Sequence, residues 1–212
     1  MRIPKKRYLI LVFILLLLLI RFVDEIDHDT FPADRFTVTA VLDGDTIEIT
    51  GGDKIRLLAI DCPEQGDLYY DSATAYLAEL VMGKTIEVDY SHRRRDGYGR
   101  ILGYIYLDSV FVNAAILEQG LGHIYLFDDN LGDKDKIELL LDAQNRAMTS
   151  GRGVWSMPRQ PEPYYLAKKG SFRFHRPHCA SVKNADWGDL IRFETREQAF
   201  REGYSPCRNC RP

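Results

Sequence analysis

Residues 36–60 read FTVTAVLDGDTIEITGGDKIRLLAI, and this stretch decides the fold. Apolar and polar residues alternate in 36–41, in 46–50 and again in 54–60, with many β-branched side chains, as is typical of half-buried strands. Asp43-Gly44 separates the first two runs and residues 51–53 separate the last two, and both are signals for tight turns. The stretch therefore predicts a meander of three strands.

Further elements follow this meander along the chain. Two strands and three helices are predicted from hydrophobic periodicity, the strands at 85–90 and 101–107 and the helices at 72–82, 113–119 and 133–148. A loop over 91–99 joins the last two strands. Five strands with a helix between the third and the fourth is the order of an OB-type barrel. The predicted fold class is therefore mainly β with helices (α+β), with a five-stranded OB-type barrel in a domain over residues 35–157.

Five charged residues fall on three separate segments of this domain: Asp45, Arg56, Asp61, Glu64 and Arg100. Hydrolysis of a phosphodiester passes through a phosphorane-like transition state with extra negative charge on its non-bridging oxygens. Two guanidinium groups can chelate those oxygens, and a metal held by carboxylates can neutralise the remaining charge. A further carboxylate can orient or deprotonate the attacking water. The set predicts a nuclease in which Asp45 and Asp61 bind the metal. Glu64 positions or activates the attacking water, and Arg56 and Arg100 face the phosphate.

The segments that carry these charges resemble the staphylococcal nuclease (thermonuclease) family. The matching stretches are LDGDT at 42–46, RLLAIDCPE at 56–64 and YGRILGYIY at 98–106, and the resemblance covers about residues 35–157. It implies a Ca²⁺-dependent enzyme acting on DNA, RNA or both, and hard carboxylate ligands also suit Ca²⁺. The family usually has threonine at the position of Cys62 and uses its backbone carbonyl as a further ligand. The Cys62 side chain can alternatively be a small buried hydrophobe.

Two tyrosines and a run of arginines are candidates for contact with substrate. Tyr98 and Tyr125 can stack on bases of any identity, although core packing is an equal alternative for both. Arg93, Arg94 and Arg95 can meet the backbone of a single strand, or they can simply form a solvated loop. These five residues are the predicted substrate-binding set.

Charge is unevenly distributed along the chain. Residues 35–157 carry 12 basic and 20 acidic side chains, a net charge of −8, whereas residues 158–212 carry 11 and 6, a net charge of +5. Bulk attraction to a polyanion does not predict an acidic catalytic domain, so any electrostatic hold on nucleic acid must come from local clusters or from the basic C-terminal part. A non-catalytic nucleic-acid-binding OB protein is the alternative function. The five charged residues favour the enzyme, and they also disfavour a structural or adhesion protein.

The first 23 residues have the pattern of a targeting segment. Lys5-Lys6-Arg7 precedes an uncharged run of 13 residues at 8–20, which Arg21 ends. A positively charged N-terminal region before a short apolar segment is typical of an export signal. No cleavage site with the small-x-small pattern follows it. We therefore predict an uncleaved apolar anchor helix at 1–23, single-pass, with the catalytic domain outside the cytoplasm. Secretion after signal cleavage and a buried core helix are the alternatives. An acidic linker follows at 24–34.

The C-terminal part has the pattern of a second module. A proline-rich linker at 158–169 precedes a segment at 170–212 in which His175-x₃-Cys179 and Cys207-x₂-Cys210 are separated by 27 residues. One imidazole and three thiolates form a complete tetrahedral ligand set for Zn²⁺. A segment this short needs such a metal site to fold, because its apolar core is too small. His178 is an alternative to His175 as a ligand, and a disulfide is an alternative to zinc.

This segment resembles the small zinc domain of the Ada DNA-repair methyl acceptor. The matching stretches are FHRPHC at 174–179 and EQAFREGYSPCRNC at 197–210. His175 stands where that family has its methyl-accepting cysteine, and imidazole binds zinc but is no thiolate nucleophile. The resemblance therefore implies a structural zinc module with a role in tethering DNA, and not methyl transfer.

Overall fold

The computed structural model of the protein describes residues 34–212. The predicted anchor at 1–23, and all but the last residue of the predicted linker at 24–34, lie outside the described residues. Within the described range, none of the helices combines the length and the apolar character needed to cross a bilayer.

Five strands close into the predicted barrel. They are β1 (Asp34–Asp43), β2 (Thr46–Ile49), β3 (Lys54–Leu57), β5 (Thr85–Arg95) and β6 (Ile101–Leu107). The meander pairs β1 with β2 and β2 with β3, and β1 also pairs with β5, which pairs with β6. A parallel pairing of β3 with β6 then completes the ring. The five-stranded OB-type barrel that the sequence predicts is confirmed.

Two strand boundaries differ from the prediction. The predicted third strand at 54–60 is interrupted after Leu57, because Ala59 has a left-handed backbone (φ 60°) that an extended strand cannot contain. The chain resumes as β4 (Ile60–Asp61), which pairs with β8 (His123–Ile124) outside the barrel ring. The predicted loop at 91–99 is also too long, because β5 continues to Arg95, which pairs with Ile101 of β6.

Three helices pack around the barrel within two residues of the predicted boundaries. They are α1 (Tyr70–Val81), α2 (Val112–Glu118), which follows the short strand β7 (Val110–Phe111), and α3 (Lys134–Thr149). Helix α1 buries Ala73, Leu77 and Val81, whose spacing of four residues places them on one face. Single 3₁₀ turns at Asp128–Asn130 and Gly153–Ser156 flank α3.

Residues 158–212, called the tail below, contain a small four-stranded sheet. Its strands are β9 (Tyr165–Lys168), β10 (Arg173–His175), β11 (Leu190–Phe193) and β12 (Ser205–Pro206), and they lie in the order β11-β9-β10-β12. The tail also contains a 3₁₀ turn at Trp187–Asp189 and helix α4 (Arg196–Arg201). Strand β9 lies within the range that the sequence assigned to the linker at 158–169.

The tail packs directly on the barrel domain next to β8. The buried Gln144 side chain of α3 accepts a hydrogen bond from the Ile124 amide (2.8 Å) and donates one to the Phe200 carbonyl of the tail (3.0 Å). The Phe200 ring also lies edge-on to Trp155, with the ring centroids 4.7 Å apart. Arg173 of β10 donates to the Leu126 carbonyl at 3.0 Å. Because β8 pairs with β4, these contacts place the tail beside Asp61.

Candidate active site

The turn between β1 and β2 sets the position of Asp45. The Asp43 carboxylate accepts a hydrogen bond from the Asp45 amide at 3.0 Å, an Asx-type turn. Gly44 allows this turn to pack tightly, because a Cβ there would lie 2.6 Å from the Cβ of Ala73 and 2.8 Å from that of Cys62. The turn is therefore pressed against α1 and against the residue that follows β4.

The Asp45 and Asp61 carboxylates share one cationic neighbour. Asp45 is buried, and its Oδ2 accepts a hydrogen bond from the Cys62 amide at 2.9 Å. One nitrogen of Arg56, Nη2, lies 3.0 Å from Asp45 Oδ2 and 3.0 Å from Asp61 Oδ1. Thr46 donates its hydroxyl to the second oxygen of Asp45 at 3.1 Å. The two predicted metal ligands are thus adjacent, although Asp45 comes from the turn between β1 and β2 and Asp61 from β4.

The electrostatics around these carboxylates favour an added cation. Burial raises the pKa of Asp45 to about 7, and the neighbouring Arg56 offsets this only in part while Asp43 adds to it. Burial likewise raises the pKa of the Cys62 thiol well above its ordinary value, and the thiol donates to the Gly44 carbonyl at 3.2 Å. Closely spaced, buried carboxylate oxygens are a donor set that fits a hard divalent cation such as Ca²⁺.

An open cleft lies beside this pair, with a free volume of about 420 Å³ that includes open solvent. Its lining includes Asp43, Asp45, Arg56, Cys62, Glu64 and Arg100 from the barrel domain. Four of the five charged residues singled out in the sequence thus line one cleft, and the fifth, Asp61, is bonded to Arg56 at its side. The Glu64 side chain is 72% exposed and accessible to solvent water. Arg100 is held by Asp96, with Nη2 2.8 Å from Oδ2.

The two predicted tyrosines have different surroundings. Tyr98 is 89% exposed and does not pack in the core, and its ring centroid lies 5.5 Å from the guanidinium carbon of Arg100. Tyr125 is half-buried, and the guanidinium carbon of Arg173 lies over its ring at 3.6 Å. Tyr98 is therefore open to a base beside the cleft, whereas a cation of the tail already covers the Tyr125 ring.

The structure does not bring the predicted arginine run to the cleft. Arg95 makes a bidentate ion pair with Asp53, at 2.9 and 3.0 Å. The Arg94 guanidinium lies 4.4 Å from the centroid of the Tyr90 ring, and Arg93 donates to the Arg95 carbonyl at 3.0 Å. The side chains lie at the end of β5, so the run is part of a strand instead of a loop.

A second set of ligating side chains lies in the tail and is called the tail cluster: His175, Cys179, Cys207 and Cys210. One potential ligand atom from each lies within 4.8 Å of all the others. The Nδ1 atom of His175 is buried without a hydrogen-bond partner, and none of these cysteines is in a disulfide. His178 is exposed and is not part of this cluster. An orphaned imidazole nitrogen among three thiols fits a tetrahedral zinc site.

Two residues that were not identified from the sequence border the carboxylates. Arg208 of the tail places Nη2 2.9 Å from Asp61 Oδ1 and 3.6 Å from Glu64 Oε1. His123 faces Asp61 across the β4–β8 pair, and burial lowers its pKa although Asp61 opposes this effect. Arg208 lies 147 residues after Asp61, and only the positive charge of the tail hinted at such a contact.

Comparison with known proteins supports a nuclease. The family model described as "Staphylococcal nuclease homologue" matches residues 54–157. An uncharacterized endonuclease of Escherichia coli is 40% identical over 123 residues, which cover 56% of this chain and 75% of that protein. The micrococcal nuclease of Shigella flexneri is 28% identical over 142 residues (61% and 78%). The thermonuclease of Staphylococcus intermedius is 27% identical over 132 residues (58% and 76%).

Proposed function

Since this chain belongs to the staphylococcal nuclease homologue family and is a nuclease, we propose that it is a calcium-dependent endonuclease that hydrolyses phosphodiester bonds in DNA, RNA or both. The observation that carries this proposal is the cleft in which acidic and guanidinium groups from three separate segments meet. A non-catalytic binding protein would have no use for a solvent-accessible glutamate beside paired carboxylates and two arginines.

Each charged group has a role in the proposed reaction. Asp45, Asp61 and the backbone carbonyl of Cys62 would hold Ca²⁺, which when bound neutralises negative charge on the phosphate. Arg56 and Arg100 pair with the non-bridging oxygens, whose charge grows as the phosphorane forms.

The attacking water is assigned to Glu64. Its carboxylate is largely exposed at the cleft, so it can accept a hydrogen bond from a water molecule and take its proton. The water oxygen bonds to phosphorus as the P–O bond to the leaving oxygen on the opposite side breaks, and the leaving oxygen takes up a proton from solvent water. Tyr98 lies where a neighbouring base can stack on an exposed ring beside Arg100.

A plasmid-cleavage assay tests the metal dependence. The purified full chain is incubated with supercoiled plasmid in calcium, in a calcium chelator, and in chelator with calcium restored. We expect nicking and linearisation with calcium, loss of both in chelator, and recovery on restoration. Cleavage that continues unchanged in chelator would contradict the calcium requirement, and binding without cleavage would favour the non-catalytic alternative.

The tail is proposed to be a structural zinc module. The support is the geometry of the tail cluster and the unpartnered His175 Nδ1. We expect one zinc per chain in purified protein, measured by elemental analysis alongside a count of free thiols. Protein without zinc in which the tail thiols are oxidised to a disulfide would contradict this part of the proposal.

The N-terminal segment is proposed to hold the enzyme in the membrane with its catalytic domain outside the cytoplasm. The support is the order of charges and apolar residues at 1–23. Membrane fractionation, protease treatment of intact cells and the mass of the mature chain test it together. A mature chain that has lost this segment and accumulates in the medium would establish secretion instead.

A further inference from the structure

Among the described residues that line the cleft, Arg208 alone belongs to the tail. Its Nη2 lies 2.9 Å from Asp61 Oδ1 and 3.6 Å from Glu64 Oε1. The cleft is therefore formed by two parts of the chain, and the contribution of the tail is a guanidinium group.

The backbone that carries Arg208 is fixed on both sides. Arg208 directly follows Cys207, which is a member of the tail cluster. The Cys207 amide donates to the Phe174 carbonyl at 2.9 Å, and the Cys207 carbonyl accepts from the Arg211 amide at 2.9 Å. The contacts of Gln144 and Arg173 described above fix the tail on the barrel domain. The position of Arg208 at the cleft is thus a consequence of how the tail folds and docks.

The head group of Arg208, in contrast, is largely exposed. Its side chain is 62% exposed, although the Asp61 carboxylate that it meets is only 11% exposed. The ion-pair partners found for it, Asp61 and Glu64, are both residues to which the proposed function assigns a role. The guanidinium carbon also lies 5.6 Å from the centroid of the Tyr125 ring, a predicted substrate-binding side chain. The partners found for Arg208 therefore all belong to the cleft region, where an exposed guanidinium is placed to meet a phosphate.

The charge of the barrel domain gives a reason for such a residue. This domain has a net charge of −8, and its arginine run at 93–95 does not line the cleft. A polyanionic strand entering the cleft would meet Arg56 and Arg100, and Arg208 adds a third cation on the side of the cleft that faces the tail. Arginine is suited to this because its planar fork matches phosphate oxygens in a bidentate manner.

We propose that Arg208 is a substrate-binding residue that contacts a backbone phosphate next to the scissile one, so that the complete substrate site requires both the barrel domain and the tail. This inference rests on the proposed nuclease function. The rival interpretation is a latch, in which Arg208 occupies Asp61 and keeps calcium out.

The test measures binding of a fluorescein-labelled single-stranded DNA oligonucleotide by anisotropy, with calcium, over a series of salt concentrations. All proteins are full-length and carry Glu64→Gln, so that the probe is not cleaved. We expect Arg208→Ala to weaken binding about tenfold, the loss expected for one charge-assisted hydrogen bond, and to reduce the slope of log K against log salt by about 0.7. Arg208→Lys retains the slope but recovers only part of the affinity.

Arg201→Ala is the matched control, because it removes an exposed cation of the same tail outside the cleft. It leaves affinity and slope unchanged, and zinc content confirms that each variant has a folded tail. Unchanged affinity and slope in Arg208→Ala would overturn the inference. So would tighter calcium binding, measured by calorimetry, with unchanged or tighter oligonucleotide binding, because that is the result expected of a latch.

A parallel cleavage assay separates this inference from the proposed function. If the wild-type chain does not cleave plasmid with calcium, the proposed function fails whatever Arg208 does. If the wild-type chain cleaves, Glu64→Gln does not, and Arg208→Ala matches the control in binding, only the present inference fails.

Discussion

Two clusters of ligating side chains lie within residues 34–212, the part of the chain that the structure describes, and they differ in what surrounds them. The cleft of the barrel domain combines carboxylates with arginines, and it stands on a barrel whose large apolar core includes Ile47, Ile55 and Tyr104. The tail cluster combines thiols with an imidazole, and its neighbouring apolar clusters are small. In the cleft, opposite charges pair with each other. Arg56, for example, pairs with both Asp45 and Asp61. In the tail cluster, the buried Nδ1 atom of His175 has no hydrogen-bond partner.

This difference implies two different uses of a metal ion. On the proposed function, we expect the barrel domain to fold without calcium, because Arg56 already bridges the carboxylates and the core does not depend on them. We expect the tail to depend on the proposed zinc, because its own apolar clusters are small. Calcium would therefore serve the chemistry, whereas zinc would serve the fold.

Removal of zinc should have the largest effect and should be confined to the tail. Structural zinc in small domains contributes about 10–16 kcal/mol of apparent binding free energy, more than the apolar clusters of the tail can replace. After extraction with a strong chelator we expect limited proteolysis to digest residues 158–212 while a barrel fragment survives.

Cys207→Ser should reproduce this proteolysis pattern, because it removes one ligand of the tail cluster. Cys62→Ser is the control, since Cys62 is buried in the barrel domain and should leave one zinc per chain. A tail that resists protease without any metal would remove the distinction between the two clusters.

Substitution of a cleft arginine should show the reverse pattern, with chemistry lost and the fold retained. Arg100→Ala removes a guanidinium held at the cleft by Asp96. We expect the cleavage rate to fall by about 10²–10³, or roughly 3–4 kcal/mol, as when one preorganised donor is removed from a transition state. The midpoint of urea unfolding should change little.

Arg146→Ala is the control for this rate measurement. Arg146 pairs with Glu118 on the surface and does not line the cleft. Equal rates for the two variants would show that Arg100 does not act on the phosphate.

Two buried amides allow the coupling between the regions to be measured. Asn113 links the Ile105 amide to the Leu58 carbonyl within the barrel domain, at 2.9 and 2.8 Å. Gln144 makes the equivalent pair of bonds between the barrel domain and the tail. Each alanine variant leaves two buried groups unpaired, at a cost of about 1–3 kcal/mol per group.

We expect Asn113→Ala to lower the free energy of global unfolding, and Gln144→Ala mainly to release the tail, as judged by hydrogen exchange and protease sensitivity. Global destabilisation by Gln144→Ala with no change in the protease sensitivity of the tail would contradict this assignment of its role.

The smallest expected effect is a pH dependence that arises from Asp45 in the cleft. Burial raises the pKa of Asp45 from about 4 in an unfolded chain to about 7 in the fold. The folded state therefore favours the protonated form, and the stability that this group contributes is present below about pH 4 and is lost as pH rises through 7.

Between pH 6 and pH 8 this loss amounts to roughly 1 kcal/mol. Urea unfolding of the calcium-free chain should show it, Asp45→Asn should remove it, and added calcium should offset it. An Asp45→Asn variant with the same pH dependence as the wild-type chain would contradict the assignment to this carboxyl.

The sequence predicted the barrel well because its signals are local. Alternation in residues 36–60 and the turn at Asp43-Gly44 specify the meander without reference to the rest of the chain. The break at Ala59 was not predicted, because its left-handed backbone depends on the pairing of β4 with β8 outside the barrel. Alanine itself gives no sequence signal for this conformation. Strand β9 was missed because nearby prolines dominate the local pattern.

The candidate site was predictable only in part, for the same reason. The motifs and their spacing allowed the charged residues of the barrel domain to be predicted as a single site. In the structure these residues line or adjoin one cleft. Whether a charged run faces a cleft or its own strand neighbours depends on pairing, as the contact of Arg95 with Asp53 illustrates. Arg208 reaches the cleft through docking of the tail, which depends on buried groups such as Gln144 and cannot be inferred from spacing.

The most direct test of the proposed chemistry is the single-turnover cleavage rate of the full chain at saturating calcium, compared between Glu64→Gln and Glu138→Gln. Glu64 is exposed at the cleft and Glu138 is exposed on α3, so both variants should fold. We predict a rate for Glu64→Gln that is about 10²–10⁴ below that of the wild-type chain, the usual contribution of a general base, and no change for Glu138→Gln. Wild-type cleavage by Glu64→Gln would show that the cleft does not activate water in the proposed way.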